Sequence, residues 1–200
     1  MMHGFGKTSE ERGMRMKKLM WLAAICASCM LAAIIARAQR APYQYSSTNP
    51  VVSSAQEIFD RQSKWLMAGA EEMPADKYDY KPTADQMTFG WIVSHVAQAN
   101  NGACAVLADT AVPQDMKTTP TDPKEKLTAA LKASFDFCAK ALAGLQDSKL
   151  GDQVKFFGRQ PVPRARMLIE LTDDLEDHYS QMASYPRLNG MTPPSAQRKM

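Results

Sequence analysis

Three histidines occur in the 200-residue sequence, and two of them stand where an apolar residue is expected. His95 lies in WIVSHVAQAN and His178 in LTDDLEDHYSQM; both stretches carry apolar residues at the three- and four-residue spacing of an amphipathic helix. Each histidine falls on the apolar stripe. Asp174 precedes His178 by four residues, so the two share a helix face. Two imidazoles and a carboxylate turned toward one interior make a candidate divalent-metal site. That donor set suits zinc, and also nickel or ferrous iron, with positions left open for water. An open position on zinc lowers the pKa of bound water toward neutrality, which is hydrolytic chemistry. A second reading stays open. A carboxylate in an apolar interior is costly unless paired or metal-bound, and Asp174 hydrogen-bonded to His178 or His95 would only stabilise the interior. Gln181, one turn beyond His178, is placed to orient a ligand or a bound water. Asp173, Glu176 and Asp177 read as a solvated acidic face. Residues 39–200 contain no Ser-His-Asp pattern, phosphate loop or CxxC pair.

The elements that must hold these residues are four helices. The first is expected from about Ser53 to Met73, ended by Pro74, with Ile58, Phe59, Trp65, Leu66 and Met73 on its stripe; Gly69 on the same face permits a close helix contact. The loop PADKYDYKPTADQM brings two tyrosines over one end. The second helix begins at Thr88, an N-cap residue, and reaches about Asp109. The third starts at Pro123 behind Asp122 as cap, and runs to about Leu145 along Leu127, Leu131, Phe135, Cys138 and Leu142. Gly151 to Pro163 reads as a loop, and no alternating strand is evident. The fourth helix spans about Pro163 to Tyr185, with Pro186 stopping it. Four such helices, with no strands, predict an all-α four-helix bundle over residues 53–190. A flexible segment at 39–52 precedes it and a disordered tail at 191–200 follows.

Residues 1–38 read as a leader. Met14 to Lys18 is a basic stretch, Leu19 to Ala36 an apolar run, and Ala36-Arg37-Ala38 has small residues at the spacing of a cleavage site, with Met14 or Met16 as an alternative start. The run is near the lower limit for spanning a bilayer, so an uncleaved anchor stays open and is the one expected membrane association. Cys26 and Cys29 are embedded in the run, which argues against a lipoprotein. The whole chain carries a net charge of +3, but six of its 24 bases and two of its 21 acids belong to the leader. The remaining 18 bases and 19 acids give −1, and no basic stripe follows, so no nucleic-acid partner is expected. Export to the periplasm or beyond makes the two remaining cysteines, Cys104 and Cys138, a disulfide candidate; in a reducing compartment they would be small core residues.

Position along the helices then gives a topology. Cys104 and Cys138 each stand about 15 residues into their helices, and are level only if the second and third helices run parallel. The joint between them has about 13 residues and extends to roughly 40 Å, enough to cross a bundle about 30 Å long. His95 is near the start of its helix and His178 near the end of its own, so they meet if those helices are antiparallel. Up-down-down-up order, with a long crossover between helices two and three, satisfies both.

With WIVSHVAQAN in the second helix and DDLEDHYSQMASYPRLNGMTPPS at the end, the chain resembles the DinB/YfiT-like superfamily over about Ala55 to Ser195, particularly its exported members. The resemblance implies the same up-down-down-up bundle. It implies a divalent metal held by a histidine of the second helix and a His-x-x-x-His pair of the fourth. Those positions are His95, Asp174 and His178, and Asp174 departs from the usual histidine. Ser180 and Gln181 match the residues common after the final His-Tyr, and Pro186 replaces a common aliphatic. The implied activity is metal-dependent hydrolysis or group transfer on a small-molecule substrate. Some relatives use low-molecular-weight thiols, which an extracytoplasmic location disfavours, and homodimers are common among them. The rival expectation is a non-catalytic exported bundle that binds a small ligand or partner, with Asp174 marking a decayed site.

Overall fold

A computed structural model describes residues 43–114, 117–156 and 158–197. The leader, with Cys26 and Cys29, lies outside the described residues. Helix α1 spans Pro50–Glu72, α2 Phe89–Leu107, α3 Lys124–Ala143, α4 Arg164–Met182 and the short α5 Ser184–Leu188; strands β1 (Gln153–Phe156) and β2 (Arg159–Pro163) lie between α3 and α4.

Helix α1 starts earlier than its apolar stripe suggests, at Pro50 in the first turn, where a missing N–H costs nothing. Asn49 does not cap it with its own side chain. The Asp147 carboxylate, nearly a hundred residues away, accepts from Val51 N and Val52 N at 2.9 Å each, and Asn49 Oδ1 accepts from Asp147 N at 2.9 Å. The start of α1 and the end of α3 are thereby clasped. Thr88 caps α2 as expected, its Oγ1 accepting from Trp91 N at 3.0 Å. Asp122 does not cap α3: its Oδ2 accepts from Thr119 N at 2.8 Å and pairs with Lys126 at 2.9 Å, so it closes the preceding turn.

Directions follow from residues that meet. Asn100 Nδ2 donates to Ser134 Oγ at 3.1 Å, and one turn further Cys104 and Cys138 form a disulfide with Cα atoms 5.2 Å apart. Both sulfurs are fully buried. Helices α2 and α3 therefore run parallel. Gln56 donates to Leu142 O and Lys124 Nζ to Met73 O, so α1 and α3 are antiparallel. Arg61 meets Glu176, and Gly69 lies against Met182, so α1 and α4 run together. The order is up-down-down-up, with residues 108–123 as the crossover. A Cβ on Gly90 would come within 2.6 Å of Pro120 O, so only glycine lets the crossover lie on the start of α2. Gly69 serves a close contact as its position suggested, a Cβ there meeting Met182 Sδ at 2.9 Å.

The core is the four inner stripes: Phe59 and Leu66 of α1, Ile92 and Val96 of α2, Leu127 and Leu131 of α3, Leu168 and Leu175 of α4. Tyr78 of the expected tyrosine loop closes one end, buried against Phe89 and donating to Ala70 O at 2.6 Å.

Three further expectations are corrected. The segment Gly151 to Pro163 is not a plain loop: β1 and β2 form an antiparallel hairpin with Val154 opposite Val162, an irregularity before Phe156, and Gly158 at φ 76 in the turn. Strands of four and five residues holding two prolines give too little alternation to read. Pro186 does not end helical structure. It lies inside α5, within the first turn, where its ring is tolerated. The tail remains ordered as far as residue 197: Ser195 N donates to Tyr179 Oη at 2.8 Å and Gln197 Nε2 to Glu72 Oε2 at 2.6 Å.

Candidate metal centre

Helix α2 presents His95 two turns from its capped start, and antiparallel α4 presents Asp174 and His178 at the same level. Asp174 Oδ1 lies 3.5 Å from His178 Nε2 and 3.8 Å from His95 Nε2. One donor atom from each of the three residues lies within 4.8 Å of the others. Ligands about 2.0–2.1 Å from a tetrahedral zinc are about 3.4 Å apart. The two distances from Asp174 are thus within tenths of an ångström of that separation. The distances also exceed good N–H···O geometry, so the carboxylate is shared loosely between two imidazoles and not committed to either. The donor set therefore fits a divalent transition metal.

Burial grades across the cluster. The His178 side chain is 9% exposed, Asp174 29% and His95 37%, so the site opens on the His95 side. Trp91 stacks on the His95 ring at 4.7 Å and 7°, and the two imidazoles meet edge to face at 4.6 Å. Burial favours the protonated form of Asp174 more than any other single influence, yet His178 and His95 together hold its carboxyl well below the usual carboxylate range. Burial likewise opposes protonation of His178, but Asp174, with Asp177 and Gln181 contributing less, raises it above the ordinary imidazole value. Asp174 is anionic at neutral pH, while a proton held on His178 competes with any cation.

The structure places the remaining candidates as follows. Gln181 donates to Asp177 Oδ2 at 2.8 Å, and buried His178 Nδ1 has no hydrogen-bond partner. Asp173, Glu176 and Asp177 are all exposed as expected, and Glu176 also reaches α1, accepting from Arg61 at 3.0 Å and Gln62 at 3.2 Å. Cys104 is disulfide-bonded and no part of the cluster.

Three neighbours were not singled out in the sequence. Trp91 packs against the core and is also the platform under His95. Glu170, one turn before Asp174, lines a cleft beside it and pairs with Arg166; its four-residue step from Asp174 is the signal that marks it. Gln98, one turn after Ser94, donates to Ser94 Oγ at 3.0 Å, and Ser94 Oγ lies 2.7 Å from Thr118 Oγ1. Only the fold brings Thr118 there.

Solved structures share the fold. A DinB-like protein from Bacillus subtilis superposes with a TM-score of 0.58 at 21% identity, over 74% of this chain and 99% of its own. A conserved protein from Enterococcus faecalis gives 0.57 at 19% identity, over 69% of this chain and 96% of its own. A DinB-like protein from Bacillus cereus gives 0.56 at 16% identity, over 70% and 93%. At such identities these likenesses show the shared bundle. No curated protein matches the sequence significantly. The sequence model of the DinB superfamily matches residues 58–182, which contain the four main helices from the third turn of α1 onward and all three residues of the cluster. By that match, the chain belongs to the DinB superfamily.

Proposed function

We propose that the protein is an exported enzyme that uses a divalent metal for hydrolysis or group transfer on a small molecule. His95, Asp174 and His178 hold the metal, which is zinc, nickel or iron. The observation that carries this reading is the convergence of two imidazoles and one carboxylate from two helices, with Asp174 Oδ1 at 3.5 and 3.8 Å from the imidazole nitrogens. A metal bound there supplies Lewis acidity, polarising a substrate oxygen and lowering the pKa of water. The residues around it supply position. Asp174 contributes the negative charge, Trp91 fixes the plane of His95, and the apolar packing around His178 keeps water from its buried side. Gln181, three residues beyond His178 and a minor influence on its protonation, is the kind of outer partner that orients a ligating histidine. Export is supported by the basic and apolar leader and by the Cys104–Cys138 disulfide, a bond typical of oxidising compartments.

The partnerless His178 Nδ1 favours a second reading, in which the site no longer binds metal and the bundle binds a ligand without chemistry. Elemental analysis of residues 39–200, purified from the periplasm without a His-tag or chelator, separates the two. A stoichiometric transition metal that disappears in His95→Ala supports the enzyme. No metal, even after reconstitution with zinc, nickel or iron, supports the binding bundle.

A further inference from the structure

His95 is the common wall of two cavities of opposite character. On one side, a cleft of about 220 Å³ runs between α2 and α4, lined by Ala99, Ala103, Leu171, Glu170 and Asp174 besides His95. On the other, an open groove of about 320 Å³ is lined by Trp91, Ser94, Gln98 and residues 118–120 of the crossover. The division follows from helix geometry. At 100° per residue, positions 91, 94 and 98 turn to one side of position 95, and 99 and 103 to the other.

The two sides offer different chemistry. The apolar lining of the cleft is two alanines and Leu171. For scale, an apolar cavity of about 150 Å³ accommodates benzene, so this one has room for a phenyl or branched alkyl group. The groove offers hydrogen bonds. Gln98 Nε2 is used by Ser94 and by Thr118 O, which fixes the amide and leaves its Oε1 as an acceptor, while the exposed Thr119 adds a hydroxyl. Neither lining contains a lysine or arginine, and the cleft carries two carboxylates, so nothing there matches an anionic group.

We infer that the site takes a small uncharged molecule in two parts: a phenyl-sized or branched alkyl group in the cleft at Ala99 and Ala103, and an amide- or ester-like group reaching the Gln98–Thr119 groove, with the junction at His95. Ala99 and Ala103 are then the residues that set specificity. This rests on reading His95, Asp174 and His178 as the reaction centre, but the cavities do not require a metal, so the two can fail separately.

The test is titration of the full chain, freed of metal with chelator, with benzamide and with acetamide, followed by amide chemical shifts. Benzamide is expected to move Ala103, Leu171 and the Gln98 side-chain amide, and acetamide to leave Ala103 and Leu171 unmoved. Ala103→Phe fills the cleft and is expected to weaken benzamide at least tenfold. Ala103 is buried, and if that variant fails to fold, Ala99→Phe at the half-exposed mouth carries the same expectation. Unchanged benzamide affinity in the folded variants, or shifts confined to another surface, overturns the inference. Zinc stoichiometry of the same proteins, measured after the chelator is removed and zinc is restored, reports separately on the metal.

Discussion

Replacing Asp174 by alanine separates the two roles open to the cluster, because they predict opposite outcomes. Without metal, the carboxylate contributes little. It is 29% exposed, and its distances to His178 and His95, 3.5 and 3.8 Å, are longer than a good hydrogen bond. Pairs of this kind contribute about 0–1 kcal/mol, so metal-free Asp174→Ala should unfold within a few degrees of the parent. With metal the difference is large. Zinc at a hundredfold excess over its Kd stabilises the folded state by about 2.7 kcal/mol. For a domain of this size that is roughly 5–11 °C in Tm. The variant keeps only two imidazoles and should lose most of the gain. The assay is thermal unfolding of parent, Asp174→Ala and His178→Ala, each with chelator and with zinc. Equal zinc-induced gains in all three would refute the site. So would a destabilisation of several kcal/mol in chelator alone, which would make Asp174 a structural pair.

Other expectations are as specific. In metal-free protein the raised His178 pKa contributes stability that is complete below the unfolded value near 6.5 and fades as pH rises through the folded value. The lowered Asp174 pKa contributes stability above about 3.9 that fades as pH falls. The Tm deficit of Asp174→Asn should therefore be greatest between about pH 4 and 6.5 and shrink on both sides, and a deficit independent of pH would contradict the assignment. Cys104 and Cys138 are 34 residues apart, and replacing both by alanine should cost about 3–4 kcal/mol by denaturant titration; a loss under about 1 kcal/mol would mean the cross-link constrains little. Asp147→Ala leaves two N–H groups at the start of α1 without their acceptor, and should cost about 1 kcal/mol in the same titration. An unchanged midpoint would show that water replaces the carboxylate fully.

The legible parts of the fold were those with local causes. Apolar spacing marks α2, α3 and α4 because burial of one face repeats every three or four residues. Thr88 marks the start of α2 because its side chain bonds within the same turn. His95, Asp174 and His178 could be singled out because polar groups on an apolar stripe require a partner in the interior, and counting along the helices put them at one level. Cys104 and Cys138 yielded to the same counting. The start of α1 did not, since its cap is Asp147, and the hairpin did not, since its strands are short and interrupted by proline.

What the residues settle alone is therefore which faces turn inward and which side chains must find partners there, because helix period and the cost of burying charge act locally. The tertiary structure decides how those partners meet. Asp174 lies between the imidazoles at distances too long for a firm hydrogen bond, and His178 is left with a partnerless nitrogen. The crossover sets Thr118 against Ser94, and two alanines line a cleft beside His95. Those features depend on where helices and loops remote in sequence come to rest against one another, and no spacing along a single helix encodes that.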